Sequence, residues 1–169
     1  TTVMDHFPHK FNEEILPTLP IFVPKEYCLS HEVSSYELAW WGDGLEIESA
    51  RAVKKNWPYV THIEEGFDEE SMKGIDQLIQ ADALNDHAVL VHGISLSDRD
   101  IASVAIAKSH MVWCPISNMF IFNVVARIKE WIDAGINVSL GTDSPMSGTL
   151  NLFAEMKFAA EIYESTYGE

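Results

Sequence analysis

From residue 58 onward the chain repeats one unit: a short apolar run, a brief loop, and a stretch whose apolar residues recur at helical spacing. The runs cover residues 58–62, 88–92, 111–114 and 136–140, and they are continuous rather than alternating. A strand that is apolar along its length is buried on both faces, and strands of that kind form parallel sheets covered by helices. Right-handed crossovers then leave two arrangements, an open doubly wound sheet or a (βα)8 barrel. No GxGxxG and no P-loop follows any of the runs, which removes the common nucleotide-binding reading.

The segments between the runs carry helix signals. Asp68 is placed to cap a helix with Met72, Ile75, Leu78 and Ile79 on one stripe. Ser97–Asp100 resembles a capping box before Ile101, Val104 and Ala105. After 111–114 a loop is expected through Pro115 and Asn118. A helix follows with Val125, Ile128, Trp131 and Ile132 inward, closed by Gly135. The last helix is expected from about Leu150 to Tyr163. Upstream, residues 1–5 read as a short buried strand ending at His6, and Pro17, Pro20 and Pro24 make an extended connector. Residues 27–31 suggest a further strand, 40–44 a turn, and 45–56 a helix with Ile47, Ala50 and Val53 on one side.

Composition narrows the partners. The formal net charge is −15, from 26 acids against 11 bases, which argues against a nucleic-acid backbone. Helical acids such as Glu46, Glu48, Asp68, Glu69, Glu70, Glu155 and Glu161 read as a solvated outer face. No apolar run reaches membrane-spanning length, and the start lacks the pattern of a signal peptide. Cys28 and Cys114 belong to no CxxC, so reduced thiols and a cytoplasmic setting are expected. The chain opens without Met inside an apolar run, and the expectation is that it begins partway through a domain.

The chemistry sits where the runs end. His62, His92 and Asp143 close or directly follow three of them, the last in the stretch from Val138 to Ser144. Parallel α/β folds present functional groups at the carboxyl ends of strands, and two histidines with an aspartate form a metal-ligating set. Glu65 follows His62 by three residues, in the loop directly beyond that strand.

Thr61–Glu65, Leu90–Gly93, Cys114–Asn118 and Leu140–Ser144, in this order, resemble motifs of the amidohydrolase superfamily. The likeness is to its branch of cytosine, guanine and S-adenosylhomocysteine deaminases and triazine chlorohydrolases, whose spacing the intervals from 62 to 92 and from 92 to 143 match. The resemblance implies a partial (βα)8 barrel, roughly strands three to eight, with residues 1–169 as its C-terminal portion. It implies hydrolysis at a carbon–nitrogen bond, with deamination of an amino-substituted heterocycle ahead of dechlorination. One divalent metal, Zn or Fe, would be held by His62 and Asp143. Asp143 would also accept the proton of the attacking water, Glu65 would protonate a ring nitrogen, and His92 would orient the nucleophile. His31, Trp113 and Asn118 would contact a small-molecule substrate, with Ser117 shaping the same loop. The expected assembly is a homo-oligomer.

Two departures stand beside the resemblance. Trp113 occupies a position where members of the branch often have histidine, and no His-x-His of the kind that opens the family's metal site occurs in these 169 residues. Either the chain is part of a longer enzyme and inactive alone, or it is a degenerate barrel that serves as a binding module. Another metal-dependent barrel hydrolase is a third option, against which stands the lack of a strand-end lysine. His6, His9, His87 and His110 read as structural or surface residues.

Overall fold

A computed structural model of the protein describes residues 28–32 and 44–168. The chain runs β1 (Cys28–Glu32), α1 (Leu45–Lys55), β2 (Tyr59–Ile63), a 3-10 turn (Ser71–Lys73), α2 (Gly74–Gln80), β3 (Ala88–His92) and α3 (Asp98–Ala107). It continues through β4 (His110–Trp113), α4 (Pro115–Phe122), α5 (Ile128–Asp133), β5 (Asn137–Leu140) and α6 (Leu152–Tyr167). The strands form one sheet in the order β1-β2-β3-β4-β5, and all four pairings are parallel. Spatial order follows sequence order with no reversal. A doubly wound sheet reverses direction at a switch point, so this sheet is a barrel wall wound one way.

Both faces of the wall are apolar, as the continuous runs require, but they are not equal. Tyr59, Ile63, Leu90, Met111 and Trp113 face the helices, packing in one core with Ile75, Leu78, Ile101, Val104, Ile128 and Trp131. On the other face Val60, Val91 and Cys114 form a smaller cluster with Val89 and Val112. That second face is the side of the barrel interior.

Several expectations need correction. The segment after β4 is helical from Pro115, not a loop, because proline at the first helical position has its φ preset and needs no N–H partner there. The helix after β2 is short: Asp68 accepts from the backbone N–H groups of Glu70 and Ser71 (3.1 and 2.9 Å), a 3-10 turn follows, and α2 begins only at Gly74. Gly74 lies against β2, where an added Cβ would meet Ile63 Cδ1 at 2.5 Å. Met72, Ile79 and Ile132 are about half exposed rather than inward. In α1 the buried face is Glu48, Ser49 and Ala52, rotated away from Ile47 and Val53. Glu48 and Glu155 are fully buried rather than solvated. Glu48 manages this beside Arg51, whose guanidinium donates to it at 2.5 Å.

Other expectations hold. Both cysteines are free and buried, and no helix among the described residues is long and apolar enough to cross a membrane. Gly135 adopts φ 78° past the end of α5. The strand at 1–5, the proline connector, His6, His9 and most of the turn at 40–44 lie outside the described residues.

The capping box at α3 is complete: Ser97 Oγ accepts from the Asp100 N–H at 3.3 Å, and the Asp100 carboxylate accepts from the Ser97 N–H at 3.1 Å. Ser97→Ala should therefore cost about 1 kcal/mol, the usual worth of such a cap. Urea denaturation would read this as a lower midpoint with an unchanged slope.

Candidate active site

The carboxyl ends of the strands are where the backbone departs from the ordinary. Among the described residues, seven non-glycine positions have positive φ. Asn56, Lys108 and Asn123 are helix C-caps, and Asp82 follows the end of α2. The other three are Glu64 after β2 (46°), His92 at the end of β3 (77°) and Asp143 beyond β5 (53°). A left-handed conformation costs a non-glycine residue energy, so these positions are held there by their surroundings.

For His92 the conformation decides where the ring goes. Alternation along β3 would put it with Ala88 and Leu90 on the helix side. Instead its ring stacks on that of His62, with centroids 5.3 Å apart and planes inclined by 17°. Gly93, also left-handed at 57°, completes the turn in a space where a Cβ would meet Met111 Cε at 2.5 Å.

Glu65, His92 and Asp143 converge: each offers a ligand atom, and these atoms all lie within 4.8 Å of one another. His92 is buried, its Nε2 stands 3.4 Å from Glu65 Oε1, and its Nδ1 lies 3.0 Å from the side-chain amide nitrogen of Asn118. These two contacts fix the orientation of the ring between Glu65 and Asn118. Ser147 Oγ donates to Asp143 Oδ2 at 2.8 Å, and Ser117 Oγ donates to the same oxygen. Burial works to raise the Asp143 pKa, but these two hydroxyls, together with His92 and the Ser144 N–H, hold it below the usual carboxylate range. Cys114 lies on the interior face beneath. Burial, with Asp143, Glu155 and Glu65 nearby, pushes its thiol well up, so it stays neutral.

The sequence-predicted residues divide. Glu65, His92 and Asp143 come together, with His62 stacked at their edge. Asn118 is wholly buried, and the contact it makes is with His92. Trp113 is not brought to the group: it shares the helix-facing side with Met111, while Val112 and Cys114 take the interior. His31 falls on β1, and its side chain lies outside the described residues. His87 is structural, with Nδ1 2.9 Å from Trp57 O, and His110 pairs with Asn137 at 3.1 Å.

Sequence reasoning missed two supports. Glu64, beside Glu65 in the same loop, is buried. Its pKa is pushed up to about 7 by that burial, partly offset by the Ile75 N–H donating to Oε1 at 3.2 Å. Its carbonyl accepts from Ser95 N and Ser95 Oγ (3.3 and 3.1 Å), tying the loop of Glu65 to the loop after His92. Ser147, whose only signal was its place in a turn-rich stretch, is the second support.

Residues 53–168 match the model of the amidohydrolase family. The chain belongs to that family. Among its relatives is the 5-methylthioadenosine/S-adenosylhomocysteine deaminase of Pyrococcus furiosus, 31% identical over 124 residues, 69% of this chain and 30% of the relative. The same-named enzyme of Pyrococcus horikoshii is 37% identical over 87 residues, 51% of this chain and 21% of the relative. The chain thus spans less than a third of the length of these relatives. In fold it is similar to a zinc-bound adenosine deaminase from Xanthomonas campestris (TM-score 0.71, 20% identity, 83% of this chain and 33% of that one). A guanine deaminase from C. acetobutylicum with bound guanine gives a TM-score of 0.59 at 20% identity, over 73% of this chain and 33% of that one. These likenesses agree with the one-way parallel wall as part of a barrel.

The donor set suits a divalent ion. Imidazole and carboxylates are the ligand types zinc accepts, at about 2.0–2.2 Å each. Asp143 supplies such a carboxylate, and His62, stacked on His92 beside it, such an imidazole.

The loop carrying Asp143 is itself tightly built. Gly148 N–H donates to Ser144 O at 2.7 Å, and a Cβ on Gly148 would fall 1.8 Å from Thr142 O. Gly148→Ala must move backbone, so it should destabilise the protein by about 1–3 kcal/mol, the range for overpacking. Chemical denaturation would measure the loss.

Proposed function

We propose that this chain is the C-terminal portion of an amidohydrolase barrel that hydrolytically deaminates an amino-substituted heterocycle, of the adenosine type for which its relatives are named. The observation that carries the reading is the convergence of Glu65, His92 and Asp143 within 4.8 Å at the carboxyl edge of a parallel wall. A divalent ion, zinc or iron, held by His62 and Asp143 would supply the Lewis acidity that makes water a nucleophile near neutral pH.

The chain's own residues then divide the proton traffic. Glu65 gives a proton to a ring nitrogen of the substrate. The water oxygen bonds to the amine-bearing carbon as Asp143, kept ionised by Ser117 and Ser147, takes one of its protons. On collapse Asp143 passes that proton to the amine, which leaves as ammonia, and the hydroxyl proton returns to Glu65. His92 orients the water, its ring held between Asn118 at Nδ1 and Glu65 at Nε2. The free thiols of Cys28 and Cys114 support a cytoplasmic setting. We further infer a homo-oligomer acting on small molecules, and a full ligand set that needs residues beyond these 169.

The test is made on the full-length protein, with amino-purines, amino-pyrimidines and amino-triazines screened for ammonia release and chloro-triazines for chloride. Glu65→Gln should leave metal content intact and lower turnover by about 10²-fold or more, the usual contribution of a general acid. Asp143→Asn should lose both metal and activity. Undiminished ammonia release by Glu65→Gln, on a substrate the parent accepts, would overturn the mechanism.

A further inference from the structure

We propose that Glu155 is a positioning residue for this site, a brace that sets the placement of His92 and Asp143 without touching either; the inference rests on the deaminase reading above. Glu155 stands in the first turn of α6, and its side chain is fully buried. Its two oxygens reach different parts of the chain. Oε2 accepts from the Ile116 N–H in the first turn of α4, at 3.3 Å. Oε1 lies 3.3 Å from the hydroxyl of Thr149, in the loop that leads from β5 to α6.

What lies next to each anchor gives the brace its meaning. The two residues after Ile116 are Ser117, whose hydroxyl donates to Asp143, and Asn118, whose side-chain amide lies 3.0 Å from His92 Nδ1. Thr149 N–H donates to Thr142 O at 3.3 Å, closing the loop on which Asp143 and Ser147 sit. One carboxylate therefore couples the helix that grips His92 and Asp143 to the loop that carries Asp143.

Its chemistry is suited to this task and costly for any other. A buried carboxylate pays desolvation that an apolar side chain of the same size would avoid, so packing alone does not account for it. Burial raises its pKa, offset in part by the donors from Ile116 and Thr149. An amide has a single acceptor oxygen where the carboxylate has two. Glu155→Gln thus keeps the volume and loses one of the two anchors.

The experiment uses the full-length, zinc-loaded protein, with Glu155→Gln and Thr149→Val as variants. Zinc affinity is read by competition with a chromophoric chelator, kcat and KM on an amino-heterocycle the parent deaminates, and the folded fraction by thermal melting. Glu155→Gln should stay folded at the assay temperature and lose 10- to 100-fold in zinc affinity or kcat, the usual effect of removing a group that orients site residues. KM should change little. Thr149→Val, which removes one of the two anchors together with the bond of the Thr149 hydroxyl to Asn151 O (2.9 Å), should move the same quantities less, and it carries the test if Glu155→Gln does not fold. A crystal structure of either variant should show the Asn118–His92 or Ser147–Asp143 hydrogen bond lengthened or broken. A lowered melting temperature with unchanged zinc affinity, kcat and hydrogen bonds would reduce Glu155 to a structural residue and overturn the proposal. If the parent releases no ammonia from any amino-heterocycle, the deaminase reading fails on its own, and zinc competition with the crystal structure still decides the part played by Glu155.

Discussion

The site depends on a backbone constraint more than on any single side chain. Glu64, His92 and Asp143 leave their strands in left-handed conformations that only glycine adopts freely. At His92 this turns the ring across to the interior face, onto His62. At Asp143 it accompanies a hairpin-tight loop whose Gly148 has no room for a Cβ. Such conformations cost of order 1–3 kcal/mol each and persist only where neighbours over-determine them. The neighbours here are identifiable: Ile63 O takes the Gly93 N–H at 2.9 Å, Glu64 O takes Ser95, and Thr142 O takes Thr149.

Around the reacting groups lies a layer of neutral donors. Ser117, Ser147 and Asn118 have no charge to offer, yet together they hold Asp143 ionised and His92 in place. Two carboxylates and an imidazole at close quarters would repel or trade protons unpredictably without such partners. The neutral thiol of Cys114 adds no further negative charge beneath them.

Much of this was legible in sequence. Continuous apolar runs gave parallel strands, and the residues at their ends gave His62, His92 and Asp143, because a strand terminus is fixed by local pattern. The capping box at Ser97 and the helix stop at Gly135 were readable for the same reason. The burial of Glu48, Glu64 and Glu155 was not readable. An acid in a helical or loop pattern looks solvated, and what buries Glu64 and Glu155 are backbone N–H donors, Ile75 and Ile116, that only the fold brings near. Trp113 was misplaced for a different reason. When both faces of a strand are apolar, the sequence carries no alternation from which to tell helix side from interior. Pro115 signalled a break in the chain although proline also starts helices.

The one-way order of the sheet bears on how the chain comes together. Each strand pairs with the strand before it in sequence, so every pairing from β2 onward closes only the connection between neighbouring strands, of one helix or, between β4 and β5, two. Closure entropy is then paid in small, similar steps, and the wall can lengthen by one strand each time a further unit emerges from synthesis. Asp143 follows the last of these strands in sequence, beyond the segments that carry Glu65 and His92. The site is therefore spread along the wall, and its groups, distant in sequence, meet only where the strands stand side by side.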